Sequence, residues 1–297
     1  MNLPVAPSGH SVPIPSGLPS RVGVLGGGRM GAGIAHAFLV KGVDVVVVER
    51  DHASAQAGRE RVELSAGKSV ERDPHSGNLA EMVSRLTVSV DYADFRDREL
   101  VVEAVPEDWA LKVAALRSVE EQLSPGSLLA SNTSSLSVSG LSEELKRPQD
   151  FLGMHFFNPV PASTLIEVVI GKQTRPELVE QARSWVQGLG KTAVVVNDAP
   201  GFASSRLGVA IALEAMRMVE ECVASVEDID NAMVLGYKHP TGPLRTTDIV
   251  GLDVRLGIAE YLQETLGERF APPQILREKV ARGELGRKTG KGFFDWN

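Results

Sequence analysis

A single cysteine, Cys222, in 297 residues excludes any intrachain disulfide and fits a reducing, cytoplasmic compartment. Its expected role is that of a small core side chain. No stretch of about 18 consecutive apolar residues occurs, so nothing reads as a membrane span. Basic charge is in deficit, with 31 Lys and Arg against 38 Asp and Glu and a net charge of -7. That balance argues against nonspecific binding to nucleic acid or to an anionic membrane, and an anionic ligand would need a local basic patch. Met1 to Ser20 holds five prolines and no charged residue ahead of an apolar run. It reads as neither a signal peptide nor an amphipathic transit sequence, and the expectation is a disordered tail over 1–20. There is no internal repeat, and no pattern calls for a metal.

What is present is a core-forming chain with alternating elements. The hydrophobic fraction of 43% is ordinary for a globular protein and the length suits one large or two moderate domains. Strands are predicted at Arg21 to Gly26, Asp44 to Glu49, Leu86 to Val90, Leu100 to Val105, Ser127 to Ala130, Phe151 to Phe156, Leu165 to Ile170 and Thr192 to Val196, with helical patterns between many of them. Val45 to Val48 is an unbroken valine run, which suits a parallel strand covered on both faces. Strands alternating with helices imply an α/β, Rossmann-type doubly wound sheet. After Pro200 the strands stop, and helices are predicted at Phe202 to Val223, Val226 to Leu235, Leu252 to Leu266 and Pro273 to Arg282. The turn signal Asp198-Ala199-Pro200-Gly201 marks the boundary. A dinucleotide-binding domain is therefore expected over 21–199 and an all-helical C-terminal domain over 200–297. The second carries more apolar residues than a small lone bundle needs, so part of it is expected to pack on a second copy, as a homodimer.

Gly26-Gly27-Gly28-Arg29-Met30-Gly31 matches the G-x-G-x-x-G fingerprint, whose glycines allow the tight turn, the approach of the pyrophosphate and close helix packing. The motif alone is weak. Here it follows a strand, opens a helix, and is followed by Glu49 at the end of the next strand, where a carboxylate accepts bonds from ribose hydroxyls. Glu49 would repel a 2′-phosphate, so NAD is favoured over NADP, although Arg50 beside it offers such a phosphate a guanidinium.

Gly153-Met154-His155-Phe156-Phe157-Asn158-Pro159 closes one strand and Glu167 lies on the next. Asn158-Pro159-Val160-Pro161 is turn chemistry that folds the second strand back on the first, so His155 and Glu167 should meet across a hairpin. A carboxylate there fixes the imidazole's tautomer and steadies it as a proton acceptor. The plainer reading is a satisfied core histidine with a structural partner.

With these residues in hand the chain resembles the 3-hydroxyacyl-CoA dehydrogenase family, of the bacterial 3-hydroxybutyryl-CoA dehydrogenase type, from Arg21 to Trp296. The most specific pieces are Ser131-Asn132-Thr133-Ser134-Ser135-Leu136, the His155 to Pro159 run, Glu167, and Gly286-Arg287-Lys288-Thr289-Gly290-Lys291-Gly292-Phe293. The resemblance implies NAD-dependent oxidation of an (S)-3-hydroxyacyl-CoA to the 3-oxoacyl-CoA, and the reverse, of the kind used in fatty-acid β-oxidation. It implies His155 as general base and Glu167 as its orienting partner. Ser134 would lie between cofactor and substrate and bond the reacting oxygen, and Asn158 would contact the ligands beside the histidine. Glu107 and Lys112 fall where the family meets the nicotinamide half of the cofactor, and Lys288 where a tail lysine reaches the cofactor region. For CoA the family uses the helical arm from about Ala53 to Arg72. Ser65, Lys68 and Arg72 are its candidates here, although Glu60, Glu63 and Glu71 are interleaved with the basic residues as on a solvated face.

One position departs from the family. Ser205 stands where members commonly have an asparagine that contacts the substrate near the reacting group. A lost neutral hydrogen bond costs about 0.5–1.5 kcal/mol, roughly a two- to tenfold loss of transition-state binding. Two other functions are weighed beside the leading one. One is a related dehydrogenase of a free hydroxy acid or a carrier-bound acyl group; the other is a non-catalytic dinucleotide-binding protein.

Overall fold

The valine run sits where its composition demands. In the computed structural model, which describes residues 17–73 and 77–296, β1 (Arg21–Leu25) lies beside β2 (Asp44–Val48), whose Val45 to Val48 are each 5% exposed or less. Six further strands complete one sheet: β3 (Leu86–Ser89), β4 (Leu100–Glu103), β5 (Leu128–Ser131), β6 (Phe151–Phe156), β7 (Leu165–Ile170) and β8 (Thr192–Asn197). Their order is β3-β2-β1-β4-β5-β6-β7-β8, and every pairing is parallel except β6 with β7. The strand order reverses direction between β1 and β4, the place where open α/β sheets form a crevice beyond the strands' carboxyl ends.

Helices α1 (Arg29–Leu39), α2 (His52–Arg72), α3 (Leu79–Ser84), α4 (Trp109–Gln122), α5 (Val138–Glu143) and α6 (Pro176–Gly188) connect these strands. Short polar side chains start several of them: Asp51 accepts from the Ser54 amide at 2.7 Å, Asp108 from Leu111 at 2.8 Å and Ser137 from Gly140 at 3.0 Å. Each satisfies one amide that a first helical turn leaves without an internal partner. The core between sheet and helices joins Phe38, Val47, Val102, Leu152, Phe156, Ile166 and Trp185.

The described residues form two compact units that divide between Asp198 and Ala199. The expected tail lies outside them for 1–16, but its last residues are ordered. Leu18 packs on the core against Gly188, and the Ser20 amide donates to Glu99 at 3.1 Å. Ordered structure therefore begins earlier than residue 21, because a leucine next to a strand start finds an apolar groove.

The second unit is helical: α7 (Ser204–Glu220), α8 (Val226–Asn231), α9 (Pro243–Val250), α10 (Leu252–Leu266) and α11 (Gln274–Ala281). Its core is Val209, Leu213, Met216, Leu244, Leu252, Leu262 and Leu276. Leu207, Ile211, Ile249, Val250 and Val254 stay exposed. One expectation fails here. Cys222 is exposed, in the left-handed turn that ends α7 (φ 57°), rather than in the core. α9 begins at Pro243, in the first turn where its missing amide costs nothing.

Candidate active site

The glycine turn is built as a cradle. Gly26 has φ 93°, which favours glycine, and a Cβ on Gly31 would strike the Gly26 carbonyl oxygen, so only glycine lets α1 start this close to β1. A Cβ on Gly28 would meet nothing within 4 Å, so its surface is open to a ligand. Arg29 and Met30 open α1 beside it. Glu49, one residue past β2, reaches the turn, its Oε1 accepting from the Gly27 amide at 2.6 Å. Gly58 packs directly on Gly27, and Arg61 donates to the Gly27 carbonyl at 3.2 Å, so Arg61 braces the turn rather than facing out from the arm. Arg50 is turned to Asp51 at 3.1 Å.

At the ends of β4 and β5 a second group converges. Lys112, 1% exposed, bonds Glu103 at 2.7 Å and stands 3.3 Å from Glu107. Glu107 Oε1 accepts from Thr133 Oγ1 at 2.6 Å and from the amides of Ser134 and Ser135 at 2.8 and 2.9 Å. Burial alone pushes the Glu107 carboxyl up, but Lys112 and the bonds from Thr133, Ser134 and Ser135 outweigh it and hold the group below its usual range. Glu107, Lys112 and the Ser134 turn therefore form one charged unit.

At the end of β6, His155 lies directly opposite Glu167 of β7 in the antiparallel register. Its Nδ1 donates to Glu167 Oε2 at 2.8 Å, and the two residues are 7% and 0% exposed. A carboxylate only accepts, so Nδ1 carries the proton, and in the neutral ring Nε2 holds the lone pair. The Phe157 ring lies 4.4 Å from the imidazole, centroid to centroid. Asn158, exposed, precedes Pro159 through a cis bond. Asn132, singled out only within its motif, fastens β5 to β6 by accepting from the Phe156 amide at 2.8 Å. Glu103 was not singled out at all: a carboxylate at a strand end has no periodic signature.

The arm residues part company. Ser65 is half-buried and Lys68 exposed on α2. Arg72, at the end of α2, lines a cleft of about 220 Å³ together with His36, Lys41, Ser69 and Lys191. In the helical unit, Ser205 is half-buried in the first turn of α7. Lys288 is committed to Asp253, with both carboxylate oxygens within 2.7 Å. No cluster of His, Cys, Asp or Glu suited to a metal occurs among the described residues. None of their helices is long and apolar enough to cross a membrane.

The open glycine cradle, the carboxylate at the end of β2 and the switch in strand order fit a dinucleotide, and together they define a dinucleotide-binding protein of the Rossmann type. Residues 21–199 match the family model for the 3-hydroxyacyl-CoA dehydrogenase NAD binding domain, and residues 201–296 that for its C-terminal domain. The chain belongs to the 3-hydroxyacyl-CoA dehydrogenase family, an NAD-dependent enzyme family. A 3-hydroxybutyryl-CoA dehydrogenase of Mycobacterium tuberculosis is 41% identical, across 93% of this chain and 98% of its own. A probable 3-hydroxybutyryl-CoA dehydrogenase of Deinococcus radiodurans is 39% identical, across 93% and 100%. The crystal structure of (S)-3-hydroxybutyryl-CoA dehydrogenase from Ralstonia eutropha matches with a TM-score of 0.89 at 36% identity, covering 94% of this chain and 99% of that one.

Proposed function

We propose that this chain interconverts (S)-3-hydroxybutyryl-CoA and acetoacetyl-CoA, with His155 as the general base. The observation that carries the reading is the His155–Glu167 bond, made by buried side chains at the same sheet edge as the glycine cradle. His155 Nε2 takes the proton of the 3-hydroxyl, and Glu167 holds the ring and balances the charge it gains. NAD, when bound, supplies the acceptor for the hydride that leaves C3. Ser134 bonds the oxygen as it becomes a carbonyl, Asn158 contacts the ligands beside His155, and Ser205 does the work of the family asparagine with a shorter reach. Glu107 and Lys288 contact the cofactor, and Lys112, itself buried, acts on it through Glu107. Ser65, Lys68 and Arg72 hold the CoA phosphates, a role supported for Arg72 by Lys41 and Lys191 on the same cleft, which Asp73 also lines. Leu207, Ile211 and Val254 are large apolar side chains left exposed on the helical unit, which supports a homodimer formed through it. The lone exposed Cys222 suits a reducing cytoplasm.

The test is the initial rate of NADH oxidation by acetoacetyl-CoA. A rate that falls by about two orders of magnitude or more in His155→Ala supports the assignment. No rate from protein that binds NADH would sink it, and light scattering at a monomer mass would remove the dimer.

A further inference from the structure

Glu103 closes β4 with a fully buried side chain whose two oxygens hold three segments. Its Oε1 accepts from the Val105 amide and from Lys112 Nζ, each at 2.7 Å, and its Oε2 accepts from Ser131 Oγ at 2.6 Å. Ser131 Oγ in turn accepts from the Thr133 amide at 3.2 Å. One buried ammonium thus lies between two carboxylates, with Glu103 at 2.7 Å and Glu107 at 3.3 Å. Coulomb attraction grows as distance and local dielectric fall, so the nearer and wholly buried Glu103 does most of the neutralising. Glu107, a third exposed, keeps its Oε1 for the turn that carries Ser134.

We propose that Glu103 is a positioning residue: it neutralises Lys112 and anchors Ser131, which keeps Glu107 committed to the 133–135 turn and fixes the place of the Ser134 hydroxyl. A buried cation that loses its nearer counterion is strongly unfavourable, and the shortest relief is for Glu107 to close on Lys112 with both oxygens. The amides of Ser134 and Ser135 then lose their acceptor. The link to turnover rests on the reaction proposed above, whereas the link from Glu103 to the turn does not.

The experiment uses the full chain with Glu103→Gln, which keeps the shape and removes the charge, and Ser131→Ala, which keeps the Glu103 charge and cuts the Oε2 link together with the Thr133 amide bond that passes through the same hydroxyl. Kinetics with NADH and acetoacetyl-CoA are normalised to sites counted by NADH titration, and amide hydrogen exchange is read across residues 131–137. In Glu103→Gln, kcat should fall about tenfold or more with the KM for acetoacetyl-CoA within about threefold, and exchange over 131–137 should speed up about tenfold relative to the rest of the sheet. In Ser131→Ala both effects should persist at about two- to fivefold. A merely structural Glu103 would lower the unfolding midpoint but leave kcat per site and the relative exchange of the turn unchanged, and that result overturns the proposal. If Glu103→Gln does not fold, Ser131→Ala decides by the same two readouts. If the wild type is inactive on acetoacetyl-CoA, the proposed reaction fails, and exchange alone decides for Glu103.

Discussion

Acid should weaken this fold through one histidine that has no part in the chemistry. His36 lies on α1 at 3% exposure, with Nε2 2.8 Å from Ser69 Oγ and a buried Nδ1 that has no partner among the described residues. Burial, then the charges of Lys191 and Arg72, lower its pKa from 6.5 to about 4. The unfolded chain therefore binds a proton between about pH 6.5 and 4 that the folded chain refuses, so stability rises with pH across that window. His36 contributes fully above pH 6.5, and its contribution drains away as pH falls toward 4. At 1.36 kcal/mol per tenfold, the fall from 6.5 to about 4 corresponds to about 3 kcal/mol. Carboxylates held low, Glu107 and Asp253 among them, add their own losses at the acid end, below the usual carboxylate values of 4.5 and 3.8. Urea midpoints should be measured from pH 4.5 to 8 for the wild type and His36→Gln, whose amide can still reach Ser69. The wild type should lose up to about 1.4 kcal/mol per pH unit below pH 6.5 in excess of the variant. Identical pH slopes in the two proteins, or a His36 ring that titrates near 6.5 by NMR, would refute the reasoning.

Three further outcomes follow from the site. Glu167→Gln keeps the volume but lets an amide donate to Nδ1 and select the wrong tautomer; kcat should drop by about two orders of magnitude or more with NADH affinity within about threefold, and an unchanged kcat would end the orienting role. Gly31→Ala places a methyl against the Gly26 carbonyl, so NADH binding by fluorescence titration should weaken by at least about tenfold, and near-native affinity would show that α1 can shift to make room. Ser205→Asn restores the family amide and should raise kcat/KM for acetoacetyl-CoA by roughly two- to tenfold; a loss would mean that the local packing is built around serine.

Elements whose identity depends on near neighbours in the chain were legible. The valines of β2, the glycine turn and the Asn158 to Pro161 reversal each carry a local signal, and each lies where that signal points. Residues defined by distant partners were not. Glu103 is a plain strand end until β5 lies beside β4 and α4 returns Lys112 beneath it. Asp248, buried in α9, accepts from the Phe293 and Phe294 amides and from Trp296 Nε1, so the aromatic tail is fastened by a carboxylate at least 45 residues away. Cys222 misleads for the opposite reason: composition favours burying a cysteine, while the left-handed turn that ends α7 sets it outside.

The direction of the strands explains why the chemistry collects at one edge. β1, β4, β5 and β6 run parallel as neighbours, so Gly26, Glu103, Ser131 and His155, each at or beside the carboxyl end of its strand, arrive along one line. A parallel sheet needs a long crossover between neighbours, and continuing that pattern would have put a helix between His155 and its partner. The hairpin places Glu167 only 12 residues from His155 instead. Directly opposed antiparallel residues share a face, with Cβ atoms about 4.5–5.5 Å apart, which is the reach an imidazole and a carboxylate need to meet. The one antiparallel pairing in the sheet thus falls at the residue whose side chain must be held most rigidly, and a lengthened 157–164 loop should loosen that bond before it disturbs the glycine cradle.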